Sequence, residues 1–190
     1  LAEVRRALGI DGMEVEAAHN FRDKARMKTV LREAGLPCAR HGLARSAAEA
    51  RAFAAEAGYP LVVKPPAGAG ARHTFRVDAR EALEQYLETL PPSERDPVLL
   101  EEFITGEEHS FDSVFVHGRP VWHSISRYFP TPLEVLRNPW IQWVVVLPRE
   151  IDTPAYDDIR AAGFRALTTL GMRTGLSHME WFRRRDGSVA

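Results

Sequence analysis

Apolar residues recur every three or four positions in four stretches of the chain, which is the spacing of a helix with one buried face. Ser46 and Glu49 form the Ser-x-x-Glu pattern of a capping box, and Asp78 begins a similar Asp-x-x-Glu pattern. Gly58 and Gly171 follow two of these stretches, as glycine often does at a helix end. The patterns predict helices at residues 20–35, 46–57, 78–90 and 153–170.

Shorter apolar runs lie between these helices, and several alternate with polar residues as strands do. They predict strands at residues 61–64, 74–77, 98–104, 109–116, 120–126, 140–147 and 176–184. The dipeptides His117-Gly118 and Asp186-Gly187 suit hairpin turns. Because strands this close in sequence favour antiparallel pairing, the pattern predicts an α+β fold rather than a doubly wound parallel sheet.

Composition narrows the class of protein. The chain has 190 residues, 45% of them apolar, and a formal net charge of -1, so no positive excess indicates a nucleic-acid partner. No apolar run approaches the length of a membrane span, and no signal-peptide pattern is present. Cys38 is the single cysteine, which excludes an internal disulfide and favours the cytoplasm. Without a starting methionine, and with its end inside a predicted hairpin, the chain is expected to be a fragment.

A loop of small residues joins the predicted strands at residues 61–64 and 74–77. Small residues allow backbone amides to approach an anion closely. Lys64 precedes the loop on a strand predicted to be buried, and a bound phosphate would give this ammonium a partner. The loop lacks the P-loop pattern and leads into a strand, so it is neither a P-loop nor a Rossmann turn. From these residues alone, a phosphate site and a solvated lysine beside a flexible hairpin are equally good interpretations. The small residues are Gly68, Ala69, Gly70 and Ala71.

Two further strands carry candidate ligand-binding residues. Alternation places Glu101 on one face of residues 98–104 and Glu102 on the other. The end of such a strand can bind adenine through backbone groups, and Glu108 could accept hydrogen bonds from ribose hydroxyls. The alternative interpretation is a plain edge strand followed by a charged turn. On the last strand, Glu180 lies between large apolar residues and could bind Mg²⁺, although a solvent-facing carboxylate is also common. Lys24, in the first predicted helix, could likewise reach an anion or lie exposed.

The order of these patterns is more specific than any one of them. Over residues 19–190 they resemble the ATP-grasp superfamily of carboxylate ligases, especially the branch with biotin carboxylase, carbamoyl-phosphate synthase and the amino-acid ligases. Asp23-Lys24 with the later Ala-Gly-Leu-Pro is similar to the family's entry motif, and residues 58–65, GYPLVVKP, are similar to its lysine strand. The Gly/Ala loop, residues 101–104 and the strand of Glu180 follow in the family's order.

The resemblance implies two α+β subdomains whose antiparallel sheets sandwich the nucleotide. It divides the chain into three parts. Residues 1–18 would be a remnant of an N-terminal domain or a linker, residues 19–96 a small subdomain with the lid loop, and residues 97–190 a large subdomain truncated at its C-terminus. Lys24 and Lys64 would contact the ATP phosphates beneath the lid residues Gly68 to Ala71. Glu101, with Glu102 beside it, and the backbone of Ile104 would contact adenine. Glu108 would hold the ribose, and Glu180 would bind Mg²⁺, with Mn²⁺ as an alternative ion.

The resemblance also implies a reaction. ATP would activate a carboxylate as an acyl phosphate, which an amine, thiol or other nucleophile then attacks; a homodimer is compatible with it. The alternatives are a nucleotide-binding module without catalysis, an ATP-grasp phosphotransferase, and a structural domain with a coincidental pattern. The sequence departs from the family by alanines at positions 69 and 71, and the second magnesium carboxylate is expected beyond Ala190.

Overall fold

The structure is a computed structural model, and it describes residues 1–68 and 73–190. The helices are α1 Ala2–Ala7, α2 Val15–Arg22, α3 Lys24–Glu33, α4 Ala47–Ala57, α5 Arg80–Thr89, α6 Pro132–Arg137 and α7 Asp157–Thr169. The strands are β1 His41–Ala44, β2 Leu61–Lys64, β3 Phe75–Val77, β4 Val98–Glu102, β5 Gly106–Val116, β6 Arg119–Phe129, β7 Val144–Val146 and β8 Gly175–Arg184. Both sheets are antiparallel, which confirms the predicted α+β class.

One compact unit comprises residues 22–29 and 38–104, and we call it the N-terminal sheet unit. Its four strands run in the order β1-β4-β2-β3. One face of this sheet packs against α4 and α5, where Ala50 and Leu83 meet Leu61, Val63 and Leu100 in a core that excludes water. Alternation along β2 and β4 therefore directs Lys64 and Glu101 to the opposite face of the sheet.

The other unit comprises residues 1–21, 30–37 and 105–190, and we call it the C-terminal sheet unit. Its strands run in the order β7-β6-β5-β8. Phe111, Ile125 and Trp181 project from one face of this sheet and pack against Ile159 and Leu167 of α7. The opposite face carries the alternate, mostly polar side chains of β5, β6 and β8, including that of Glu180.

Local capping patterns predicted some helix ends correctly. Ser46 caps α4, since its hydroxyl oxygen accepts from the Glu49 amide at 3.2 Å. The predicted helix at 20–35 is instead two helices, because Asp23 interrupts α2 and caps the start of α3. The prediction that Asp78 caps the third helix was wrong: α5 begins after Ala79, and the Asp78 carboxylate accepts from Arg76.

The remaining differences concern short elements. β1 was not predicted, and α6 lies in a proline-containing stretch for which no helix was predicted. The hairpin turn at His117-Gly118 is confirmed, and after Asp186-Gly187 the chain returns so that Val189 pairs with Arg183. The division at residue 96 stays a prediction. No helix among the described residues has both the length and the apolar character needed to cross a membrane.

Candidate functional site

The start of α3 delivers two lysines to one face of a helix. Asp23 fixes this start, because its carboxylate accepts from the amides of Ala25 and Arg26 at 2.9 and 3.0 Å. Lys24 and Lys28 then lie four residues apart, on the same side of the helix. The Lys24 ammonium donates to the carbonyl oxygen of Gly68 at 2.7 Å. The Lys24 amide also donates to the carbonyl of Pro66, so two hydrogen bonds hold α3 to the beginning of the Gly/Ala loop.

The Glu101 carboxylate lies between two ammonium groups. Lys64 donates to its Oε2 at 2.9 Å, and the Lys28 Nζ is 3.5 Å from its Oε1. The Glu101 side chain is only 8% exposed, and those of Lys28 and Lys64 are 14% and 19% exposed. Burial acts to raise the pKa of Glu101, but the charges of Lys28 and Lys64 outweigh burial and hold the pKa below its usual value. We call Lys24, Lys28, Lys64 and Glu101 the lysine cluster.

The lysine cluster extends the sequence analysis. The sequence indicated a bound phosphate and solvent as possible partners of the Lys64 ammonium, and the structure adds Glu101 as a partner within the protein. Lys28 was missed, although the sequence carries a signal for it. Lysine and arginine together number 25 in this chain, but only three are lysines, and all three belong to the cluster. The cluster contains three ammonium groups and one carboxylate, so it is suited to binding an anion.

The end of β4 has the alternation that the sequence predicted. Glu102 faces away from Glu101 and pairs with Arg40 at 3.0 Å. The guanidinium of Arg76 lies 4.2 Å from the centre of the Phe103 ring. Strand pairing ends at this point, and among the described residues neither backbone group of Ile104 has a hydrogen-bond partner. An adenine ring could use backbone groups of this kind, so the predicted roles of Glu101, Glu102 and Ile104 stay predictions.

The Gly/Ala loop is described only at its first small residue. Gly68 lies within the structure, and a side-chain carbon added to it would meet none of the other described residues within 4 Å. The other predicted loop residues, Ala69, Gly70 and Ala71, lie outside the described residues. The role of Gly68 in approaching an anion therefore stays a prediction that the open space around it allows.

The polar face of the C-terminal sheet unit brings together the predicted residues Glu108 and Glu180. Glu180 is exposed and lies opposite Ser110 of β5. His178 lies two residues earlier on the same face of β8, and its Nδ1 is 2.7 Å from a carboxylate oxygen of Asp112. Met179 and Trp181 face the core, as the alternation of this strand predicted. The sequence analysis missed Asp112, although its alternation with Glu108 along β5 was a signal.

Tyr128 of β6 lies among these acidic groups. Burial raises the pKa of its hydroxyl, and a hydrogen bond with Ser110 partly opposes the rise. The negative charges of three nearby carboxylates raise the pKa further; they belong to Glu180, Asp112 and Glu108. Carboxylate oxygens are the protein ligands that Mg²⁺ prefers. No set of three or more His, Cys, Asp or Glu side chains could hold a metal by itself within residues 1–68 and 73–190, so Mg²⁺ would also need water or phosphate oxygens.

Comparison with known sequences identifies relatives of parts of the chain. Residues 23–114 match the model of the carbamoyl-phosphate synthase L chain, ATP binding domain. The carbamoyl phosphate synthase large chain of Streptomyces coelicolor is 39% identical over 94 residues, which are 49% of this chain and 8% of that protein. The L-arginine-specific L-amino acid ligase of Bacillus subtilis is 27% identical over 191 aligned residues, covering 98% of this chain and 45% of the ligase.

Solved structures are similar in fold over nearly the whole length of this chain. The L-amino acid ligase from Bacillus licheniformis superposes with a TM-score of 0.76 at 23% identity, covering 99% of this chain and 43% of the ligase. An ATP-grasp ligase in complex with a minimal precursor gives a TM-score of 0.65 at 21% identity, over 93% of this chain and 52% of the ligase. This chain has the ATP-grasp fold. The resemblance drawn from the order of the sequence motifs is thereby confirmed.

A third structural neighbour contains a nucleotide and a metal. The biotin carboxylase domain dimer of Hydrogenobacter thermophilus, in complex with MgADP and bicarbonate, has a TM-score of 0.75 at 22% identity. The superposition covers 99% of this chain and 43% of the biotin carboxylase chain. The chain spans less than half the length of the curated relatives that it matches.

Proposed function

We propose that this chain binds Mg²⁺-ATP, and that the protein to which it belongs is a ligase joining a carboxylate to an amine or a similar nucleophile. The observation that carries the proposal is the lysine cluster, which collects all three lysines of the chain around one carboxylate and the start of the Gly/Ala loop. The likeness of nearly the whole chain to an L-amino acid ligase supports the same reaction class.

The positive charge of the cluster is suited to the triphosphate of ATP. Lys24 and Lys64 would each contribute an ammonium, and backbone amides near Gly68 would add further donors. Phosphoryl transfer depends mainly on positioning and on stabilising negative charge, so it requires no nucleophilic side chain from the protein. In the proposed first step, a substrate carboxylate oxygen attacks the γ-phosphorus and ADP leaves, which produces an acyl phosphate.

In the proposed second step, an amine attacks the acyl carbon, inorganic phosphate leaves and the amine loses a proton. A bound Mg²⁺ would neutralise phosphate charge during the first step. Glu180 would hold this ion, with Glu108 placed on the same sheet face for the ribose hydroxyls. Glu101 and the backbone groups of Ile104, for which the described residues supply no hydrogen-bond partner, would contact adenine. Mn²⁺ would serve in place of Mg²⁺.

The protein is proposed to act in the cytoplasm. A homodimer is a compatible oligomeric state. Cys38, the single cysteine of this chain, forms no disulfide among the described residues, which is the usual state of cysteine in that compartment. The proposed partners are ATP, a small carboxylate and an amine or thiol, with no nucleic acid or membrane among them.

The proposal is tested by measuring phosphate release and coupled product for the full-length protein across a panel of amino acids and small acids. Lys64→Ala should abolish Mg²⁺-ATP binding in calorimetry while the circular dichroism spectrum stays that of the parent. A phosphorylated alcohol in place of a coupled product would instead identify a phosphotransferase. Nucleotide binding without turnover on any acceptor would favour a binding module, and unchanged nucleotide affinity in Lys64→Ala would exclude the proposed site.

A further inference from the structure

Lys28 belongs to the lysine cluster but is assigned no direct contact with the nucleotide in the proposed function, although its side chain is buried to a similar degree as that of Lys64. Its side chain is 14% exposed, and its ammonium lies 3.5 Å from the Oε1 of Glu101. That oxygen is buried and has no hydrogen-bond partner in the part of the chain that the structure describes, so the Lys28 ammonium is the cation beside it. Lys64 is bound to the other oxygen, Oε2. The two lysines therefore occupy separate oxygens of one carboxylate.

The two lysines differ in how they are held. Lys28 lies in the second turn of α3, a helix whose start is fixed by Asp23. Lys64 is the last residue of β2, directly before the Gly/Ala loop. The Lys64 ammonium, directly before the loop, can turn toward a phosphate bound there, whereas nothing in the proposed function draws the Lys28 ammonium away from Glu101. A ligand that attracts Lys64 would otherwise leave Glu101 as an unpaired buried carboxylate, which is strongly unfavourable.

Resting on the proposed function, we infer that Lys28 is a positioning residue: it stays with Glu101 as a permanent counter-ion, and so allows Lys64 to leave that carboxylate and bind the phosphates. Without Lys28, Glu101 would have one cation, and the phosphates would have to compete with Glu101 for Lys64. The role requires the positive charge of Lys28 and does not require Lys28 to touch the ligand.

The distribution of lysine and arginine along the chain supports this inference independently of the geometry. Arginine supplies every other strongly basic side chain, and lysine occurs only at positions 24, 28 and 64. A lysine ammonium is compact and has three donors around one nitrogen, whereas guanidinium is wider and planar. Lys28 thus shares its residue type with the two proposed phosphate ligands rather than with the exposed cations of α3, such as Arg26 and Arg32.

The inference is tested with inorganic tripolyphosphate and Mg²⁺ as the probe, measured by calorimetry on the full-length protein. Tripolyphosphate has no adenine, so the proposed adenine contact of Glu101 does not affect the result. Lys28→Met should weaken binding by roughly tenfold, and Lys28→Arg, which keeps the charge, by no more than about threefold. The double variant Lys28→Met/Glu101→Gln should recover affinity to within about threefold of the parent, because Lys64 no longer has a competing carboxylate.

Two further variants keep the test decisive. Arg26→Met removes an exposed cation from the same helix and should change affinity by less than about twofold, which controls for long-range charge. Glu101→Gln alone should bind tripolyphosphate at least as tightly as the parent, and this holds even if Lys28→Met fails to fold. Unchanged affinity in Lys28→Met overturns the inference, and so does a weakened affinity that Glu101→Gln does not restore, since Lys28 would then contact phosphate directly. If the parent binds neither tripolyphosphate nor Mg²⁺-ATP, the proposed function itself fails.

Discussion

Removing Lys28 and Lys64 together should destabilise the N-terminal sheet unit by more than the sum of the two separate effects. In Lys64→Met, Glu101 loses a charge-assisted hydrogen bond but keeps Lys28, so the expected loss of unfolding free energy is about 2 kcal/mol. In Lys28→Met, Glu101 keeps its hydrogen bond to Lys64 and loses a cation at 3.5 Å, for which about 1 kcal/mol is expected. Each single variant leaves the buried carboxylate with one partner.

The double variant leaves Glu101 buried without either of the two lysines that lie beside its carboxylate. Removing the partner of a buried charge typically costs about 3–5 kcal/mol. Protonation limits the cost of the unpaired charge: neutralising a carboxyl of ordinary pKa at pH 7 costs roughly 1.4 kcal/mol per pH unit, or about 3.4 kcal/mol. The lost hydrogen bond to Lys64 adds about 2 kcal/mol to this cost. A total loss of about 5 kcal/mol therefore exceeds the sum of the single losses by about 2 kcal/mol. For a chain of this length, that excess corresponds to roughly 4–8 °C in Tm.

Differential scanning calorimetry of the full-length protein at pH 7 measures this excess. Tryptophan fluorescence is unsuitable, because all four tryptophans lie in the C-terminal sheet unit. The excess should nearly vanish at pH 5, where protonating Glu101 costs little, and also in a Glu101→Gln background. Additivity of the two single changes within about 0.5 kcal/mol at pH 7 would refute the reasoning, because it would mean that the two lysines do not share the carboxylate.

Two other predictions concern the carboxylates of Glu180 and Glu101. Glu180→Gln should raise the Mg²⁺ concentration for half-maximal activity by roughly tenfold while leaving Tm unchanged, and a metal titration identical to the parent's would exclude Glu180 as a ligand. The pKa of Glu101 is lowered in the folded state, so the stability it contributes is present above about pH 4.5 and is lost as the pH falls through the folded-state pKa. Glu101→Gln should therefore show a smaller loss of Tm than the parent between pH 5 and pH 3, and parallel curves would contradict this assignment.

The sequence predicted those features whose causes lie close together along the chain. The cap of α4 was predictable because Ser46 and Glu49 are three residues apart and meet whenever that helix forms. α6 has comparable signals that were overlooked: Pro132 opens the helix, and the hydroxyl of Thr131 accepts from the Glu134 amide. Both helix starts are therefore local properties of the sequence, and neither depends on the sheet topology.

The pairing of Lys64 with Glu101 could not be predicted in the same way. The two residues are 37 positions apart, and they meet because β4 lies beside β2 although β3 and α5 intervene in sequence. The sheet order that joins them depends on burial of the whole α4 and α5 surface. β1 was missed for a related reason: His41-Gly42-Leu43-Ala44 has little strand propensity, and it is a strand because it pairs with β4.

The restriction of lysine to one cluster has a consequence for spectroscopy. A sample labelled with isotopic lysine alone would give side-chain signals from Lys24, Lys28 and Lys64 and from no other position of this chain. Each signal would come from an ammonium beside Gly68 or Glu101, so every resonance in the spectrum would report on the same small region. The amino-acid usage of the chain thus makes its candidate anion site observable one nitrogen at a time, without a single engineered probe.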